Sequence, residues 1–351
     1  MKILQLIDIP WDSGLAHYAL TLSVGLKKRG HQVYISALPG AKPWAKAKRL
    51  GLRTVPLATL KTLTSLRRFL KKHHIQLLNA HTGSTHSLAV AATMGQKVAV
   101  VRTRSDARTV KKKIGGQWLF KHTQRVIAAA DYIHQEYLTS LKLKPSKVVT
   151  VYQGIDLDPF HVAPLPKIPI AGIVARLDPV KGHQYALEAL LLIKDVYPQF
   201  RLRIIGQEEN IKQHELESMA GEMGLSDRVS FLGWQKDIPS QMAMCSFGII
   251  PSIGSEAVSR GALEWMAAGR PVLATRVGCL PELIQEGNNG LLVEAENAVA
   301  IAGGLNRFLH NPDQLDTMGK NAREMVENQF SFDHFVEKSE SVYQDALADV
   351  Q

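Results

Sequence analysis

Cysteine is nearly absent: two residues in 351, Cys245 and Cys279, each among small apolar neighbours. Such thiols read as buried hydrophobes, which excludes a disulfide framework or a cysteine metal cluster and fits a reducing compartment. No apolar run approaches the roughly 18–20 residues a membrane-spanning helix needs. The opening MKILQLIDIP is broken by Asp8 and Pro10, so it is expected to form a first core strand and not a secretory signal. What is present is globular. The chain is 45% hydrophobic and 21% charged, enough to bury proper cores, and its length suits two domains.

The net charge of +10 conceals an asymmetry. Residues 1–160 hold 26 of the 42 Lys+Arg and 7 of the 32 Asp+Glu, a balance of +19, against −9 in residues 161–351. Halves of opposite sign point to domains with different partners.

Short β-rich runs alternate with longer amphipathic ones. Strands are expected at Lys2–Ile9, Gln32–Ala37, Arg53–Pro56, Ile75–Ala80, Val98–Arg102 and Val148–Tyr152. Helices are expected at Ala16–Arg29, about Pro43–Leu50, Leu63–His73 and Leu88–Met94. Four prolines in Asp156–Pro169 permit neither a helix nor a central strand, so that stretch reads as a linker. The alternation then restarts with strands at Ile170–Ala175, Arg201–Gly206, Val229–Leu232, Phe247–Ile250, Val272–Thr275 and Gly290–Val293. This is an α/β chain of two parallel-sheet domains, 1–160 and 161–330. Ligands are expected beyond the carboxyl ends of the strands.

Two blocks sit at such strand ends. In IVARLDPVKGH (173–183), Arg176 and Lys181 lie between a strand and a helix start. That pairing suits an anion, because arginine forks onto two phosphate oxygens and lysine adds a point charge. In PSIGSEAVSRGALEWMAAGRPVLAT (251–275), Glu256 precedes a helix expected from Ser259 to Gly269, and Glu264 lies about one turn inside it. Ser259 is the expected N-cap. The two carboxylates are placed to accept hydrogen bonds from sugar hydroxyls at opposite ends of a ligand lying across the helix start.

These blocks resemble the family-4 retaining glycosyltransferases of GT-B fold. The family's G-R-L-x-x-x-K-G pattern stands here as 175–182, its E-x7-E as Glu256 and Glu264, its G-G-x-P-E as 278–282, and its N-G-I-D turn as 153–156. The resemblance implies two Rossmann-like domains facing across a deep cleft, with a C-terminal helix (331–351) packing back on the first. Arg176 and Lys181 would grip the diphosphate of a nucleotide-sugar donor, Glu264 its ribose, and Glu256 its sugar. Gly14, Gly206 and Ser259 would lie on the donor side. Retention of configuration and no metal or other cofactor are implied too. The sequence also departs from the pattern. E-G-F-G is Glu256-Ala257-Val258-Ser259, the first-loop glycine pair is Ser13-Gly14, and G-x-G after Ile205 is Gly206-Gln207-Glu208. No histidine stands at Arg102-Thr103-Arg104-Ser105, so His81, at another strand end, is the substitute catalytic candidate, ahead of His17 and His86. Asp156-Leu157-Asp158 is a turn and not a metal site.

Much of the +19 lies in clusters, including Arg67/Arg68/Lys71/Lys72 and Lys111/Lys112/Lys113 with Trp118 close behind. Basic residues beside bulky apolar ones suit an anionic membrane surface or a phosphorylated glycolipid acceptor. Together with Arg102 and Arg104 they define an expected acceptor side. The expected acceptor is a glycan, lipid or lipopolysaccharide, in lipopolysaccharide or cell-surface polysaccharide synthesis. The expected place is the inner face of the cytoplasmic membrane, peripherally bound. A sugar-nucleotide binder without catalysis is the competing reading, tested by donor hydrolysis. Nucleic acid is not an expected partner, because no helix-turn-helix, zinc-ligand spacing or aromatic platform is evident.

Overall fold

The computed structural model describes residues 1–110 and 115–350. The chain forms two compact units, Met1–Gly154 with Phe332–Gln351, and Ile155–Ser331. The first holds β1 (Lys2–Leu6), β2 (Gln32–Ala37), β3 (Arg53–Pro56), β4 (Leu77–Ala80), β5 (Ala99–Arg104), β6 (Arg125–Ala128) and β7 (Val148–Thr150), in the order β3-β2-β1-β4-β5-β6-β7. The second holds β8 (Ile170–Val174), β9 (Arg201–Ile205), β10 (Val229–Phe231), β11 (Phe247–Ile250), β12 (Val272–Thr275) and β13 (Gly290–Val293), in the order β10-β9-β8-β11-β12-β13. The strand pairings are parallel throughout.

Both units are Rossmann-like, with helices between successive strands. Central strands such as β4, β11 and β12 are buried at every residue, which is why they read as largely apolar runs and not as alternating ones. Phe247 on β11 anchors the second core, stacked 6.0 Å from Phe200 and edge-on to Phe308 at 4.9 Å. In each sheet the sequence order reverses once, between β1 and β4 and between β8 and β11. In parallel sheets of this kind the connections diverge at such a reversal, which is where a crevice forms.

The structure corrects the expected linker. Residues 156–169 form no helix or strand, as their prolines dictate, yet they are packed into the second unit. Phe160 is buried, its carbonyl accepts from Arg323 Nη1 at 3.0 Å, and the Pro164 carbonyl accepts from Arg270 Nη2 at 3.3 Å. The chain leaves the first unit after Gly154, because Ile155 bridges Ser331 and donates to the Phe330 carbonyl at 2.9 Å. The fourth helix spans Gly83–Thr93, starting earlier than its apolar periodicity indicates, because Thr82 and Thr85 form a reciprocal capping box.

The helix Phe332–Ala348 belongs to the first unit and packs on the helix Gly14–Lys28. Phe335 meets Tyr18 edge-on at 4.9 Å. Tyr343 enters the sheet interior, where its hydroxyl accepts from Gln5 Nε2 at 3.1 Å and Asn79 Nδ2 at 2.6 Å. Tyr343→Phe leaves two buried amide donors unpaired and is expected to destabilise the first unit by about 1–3 kcal/mol. Urea denaturation measures this, and an unchanged midpoint would contradict the bridging role.

Candidate functional site

The reversal between β8 and β11 carries a cavity. Its walls are Ile173 to Ala175 at the end of β8, Ile249 to Ser252 at the end of β11, and Lys181, Glu256, Ser259 and Gly261. Packing of one aromatic side chain fixes this geometry. Trp265, on the helix Arg260–Ala267, is fully buried over the glycines of the two strands; a Cβ at Gly172 or Gly248 would lie 2.5 or 2.4 Å from its ring. The helix thereby rests on the sheet with its N-terminus at the crevice. Gly182 closes the other side. Its φ of +67° and a Cβ position 2.0 Å from the Pro251 carbonyl admit only glycine there.

Of the sequence-selected residues of this unit, Lys181, Glu256 and Ser259 line the cavity together, while Arg176, Gly206 and Glu264 are not among its walls. Lys181 Nζ lies 2.5 Å from Glu256 Oε1, both largely buried, and Ser252 Oγ donates to the same oxygen at 2.7 Å. Arg176 is 39% exposed and binds Asp178 through Nε at 3.2 Å. Burial opposes ionisation of Asp178, but hydrogen bonds from the Val180 amide, Asn210 and Arg176 outweigh it and hold the carboxyl below its usual range. Glu264 pairs with Arg260 at 2.8 Å one turn earlier. Burial nevertheless raises its pKa, with the Arg260 charge only partly offsetting the effect. His183, buried behind Lys181, has its pKa lowered to about 4 by desolvation and then by the Lys181 charge, so its ring is neutral.

Ser259 departs from expectation. It occupies the N-cap position, yet its φ is +37° and ψ is 59°, and its side chain caps nothing. A left-handed serine costs roughly 1–2 kcal/mol. Its hydroxyl is buried, with no hydrogen-bond partner among the described residues, and it lines the cavity. Gly206 lies against β8: a Cβ there would fall 1.8 Å from the Ala175 carbonyl, so packing between strand ends accounts for the glycine. A lysine, two hydroxyl side chains and a helix N-terminus on one wall suit an anion. The carboxylates of Glu256 and Glu264 suit hydroxyl groups.

In the first unit several expected site residues prove structural. His81 is a core residue, fully enclosed, donating from Nε2 to Gln5 Oε1 at 2.8 Å. Desolvation, then the Arg102 charge, lowers its pKa to about 3. A neutral ring with no surface exposure is poorly placed to take a substrate proton, and this corrects its catalytic assignment. His86 is likewise buried and bonded to Thr123 Oγ1 at 2.8 Å. Arg102 is not an acceptor-side cation. It is buried, donates to the carbonyls of Ala80 and Thr103, and burial lowers its pKa. Arg104 is mostly covered, held by Asp106 and the Arg108 carbonyl. Arg67 caps the helix Gly83–Thr93, donating to the carbonyls of Ala92 at 3.1 Å and Met94 at 2.8 Å. Arg68, Lys71, Lys72 and Trp118 are exposed, as is Gly14 at the start of its helix. Lys111, Lys112 and Lys113 lie outside the described residues.

Sequence reasoning missed Ser252, Asp178 and Arg260. Asp178-Pro179 is a legible helix-start pair, and Arg260 with Glu264 is a legible i,i+4 pair. Nothing local to Ser252 marks it, since its partner Glu256 is brought to it by the loop.

Known proteins resemble this chain in sequence and in fold. Residues 158–325 match the family described as Glycosyl transferases group 1, and residues 13–159 match Glycosyltransferase Family 4. A D-inositol 3-phosphate glycosyltransferase of Streptomyces scabiei is 30% identical over 257 residues, 67% of this chain and 57% of that protein. The chain spans 55–67% of the length of the curated relatives it matches. A glycosyltransferase from Rickettsia africae superposes with a TM-score of 0.88 at 20% identity, covering 99% of this chain and 98% of that one. Anabaena HepE in complex with UDP superposes at 0.85 with 19% identity, covering 98% and 100%. At these identities the structures show a common fold. The chain belongs to the GT-B glycosyltransferases of the group 1 and family 4 type.

Proposed function

We propose that this chain transfers a glycosyl group from a nucleoside diphosphate sugar to a hydroxyl of a glycan or glycolipid, with retention of configuration and without a metal. The observation that carries this reading is the Lys181–Glu256 pair, set with Ser252 and Ser259 at a helix N-terminus in the β8/β11 crevice. The UDP bound by HepE, which shares the fold, supports a nucleotide donor.

In the proposed reaction the bond between the anomeric carbon and the donor phosphate oxygen breaks, and negative charge grows on the departing diphosphate. Lys181 has three N–H donors, so it can keep Glu256 and still meet a phosphate oxygen. Asp178 engages Nε of Arg176, leaving the two Nη groups to fork onto the diphosphate. Both cations are preorganised by buried carboxylates, the condition under which such charges stabilise a transition state most. The acceptor oxygen bonds to the anomeric carbon on the face the diphosphate leaves, and its proton passes to the diphosphate. No side-chain base is required, in keeping with the enclosed His81.

The acceptor side is proposed to be anionic or membrane-bound. Arg68, Lys71 and Lys72 are exposed on one helix, Leu63–His73, and Trp118, on the helix Gly116–Lys121, is 49% exposed. Among the described residues no helix is long and apolar enough to cross a membrane, so surface attachment is the form proposed. The D-inositol 3-phosphate glycosyltransferase relative, named for a phosphorylated substrate, supports an anionic acceptor. Lipopolysaccharide or cell-surface polysaccharide assembly is the proposed setting.

Arg176→Ala is expected to lower turnover about 10²–10³-fold with only a small loss of thermal stability, because Asp178 keeps the Val180 amide and Asn210. Lys181→Ala is expected to lower both, because it strands the buried Glu256 carboxylate. Transfer assays over UDP-, GDP- and ADP-sugars test this, and undiminished turnover in both variants sinks the assignment. Donor binding without any turnover or hydrolysis in the unmodified chain would instead assign a binding protein.

Glu264 gives a pH signature. Its folded-state pKa is raised, so its contribution to stability is full below the unfolded value and is lost as pH rises through the folded one. Glu264→Gln is therefore expected to melt no lower than the unmodified chain at pH 7, with the difference closing near pH 4. It should also bind nucleoside diphosphates more weakly, because a neutral amide oxygen accepts ribose hydroxyls less strongly than a carboxylate. Melting curves at both pH values and a UDP titration measure this.

For the membrane reading, replacing Arg68, Lys71 and Lys72 by Ala is expected to weaken sedimentation with phosphatidylglycerol vesicles by about 10²-fold, from roughly 1 kcal/mol per cation. Equal binding by both proteins, or none by the unmodified one, rejects it.

A further inference from the structure

Ser259 carries two unfavourable features at one position. Its backbone is left-handed, φ +37°, which L side chains avoid and glycine adopts without strain. Its hydroxyl is buried, 5% of the residue being exposed, with no hydrogen-bond partner among the described residues. A serine at a helix start ordinarily turns its oxygen onto the N–H groups of the first turn. Here the left-handed backbone takes the oxygen out of that role, and the side chain lines the cavity shared with Lys181, Ser252 and Glu256. Glycine would remove the strain and the unpaired hydroxyl together, so local stability does not account for serine. Strain of this kind is characteristic of ligand clamps.

We propose that the Ser259 hydroxyl is a ligand of the donor's diphosphate. It would donate its hydrogen bond to a phosphate oxygen that Lys181 also meets. This makes it a specific positioning group and not a helix cap. The inference rests on the donor reading above and deepens it. The chemistry of the wall supports an anion over a sugar hydroxyl at this point. Lys181 and the N-terminus of the eight-residue helix Arg260–Ala267 both present positive charge, whereas Glu256, the sugar-hydroxyl acceptor, is already engaged by Lys181 and Ser252 through Oε1. A ligand oxygen would complete the hydroxyl's bonding, and the strained backbone holds it ready in the absence of substrate.

The test compares Ser259→Gly and Ser259→Ala with the unmodified chain, using UDP, GDP, ADP and the matching nucleosides. Both variants are expected to lose about tenfold in affinity for the nucleoside diphosphate that binds the unmodified chain. Affinity for the nucleoside alone should stay unchanged. Ligand-free Ser259→Gly should melt higher than the unmodified chain, and higher than Ser259→Ala, which keeps the left-handed strain. Diphosphate affinity undiminished in both variants overturns the proposal, as does a parallel loss for nucleoside and diphosphate, which indicates a disturbed loop. Binding of none of the three diphosphates to the unmodified chain overturns the donor reading itself, and this proposal with it.

Discussion

The second sheet changes direction between β8 and β11, and the candidate site depends on that reversal. The chain leaves β8 toward β9 and leaves β11 toward β12, so two loops part where two parallel strands end together. Into that gap go the block 175–182 from one strand and the block 251–261 from the other. What joins them is the Lys181–Glu256 pair at 2.5 Å, supported by the Ile253 amide on the Val180 carbonyl at 2.9 Å. A buried pair of this kind is weak evidence for stability. Its value here lies in holding a charged, partly desolvated wall in fixed geometry before any ligand arrives.

Each cation of the site is paired with an acid: Lys181 with Glu256, Arg176 with Asp178, Arg260 with Glu264. This explains how a unit in the acidic half of the chain can still bind an anion. The local field is set by which groups are aimed at the crevice, and the net charge of the half is a different quantity. In the first unit the arithmetic misleads in the opposite sense. Arg67 and Arg102 count toward the excess of positive charge, yet their guanidinium groups are occupied by backbone carbonyls. The exposed charge that could meet a membrane or an anionic acceptor is smaller than the sequence count implies.

Much of the fold was legible. Strands β2, β3, β8, β11, β12 and β13 lie at or within a residue of where their apolar runs place them, because parallel strands covered on both faces are predominantly apolar. Arg176, Lys181, Glu256 and Ser259, proposed for the donor side, were legible because they lie in the loops that follow those strand ends. His81 was misread for a related reason. A histidine after a strand looks the same in sequence whether its ring points to a crevice or to the core, and only Tyr343, more than 260 positions away, completes the network that encloses it. Asn79 and Gln5 likewise acquire their roles from that distant helix.

By itself the sequence determined the α/β class, the two-sheet organisation, and the charged and glycine residues gathered around the second sheet's reversal. These follow from local patterns, from periodicity and from the few residues that tight strand ends accept. Tertiary structure alone decided which cations are available and which are structural, and that residues 156–169 are packed and not a tether. It also turned Ser259 from an expected helix cap into a strained residue with an unpartnered hydroxyl. The physical reason is common to all three. Burial and hydrogen-bond satisfaction depend on neighbours supplied by distant parts of the chain, and no local pattern records them.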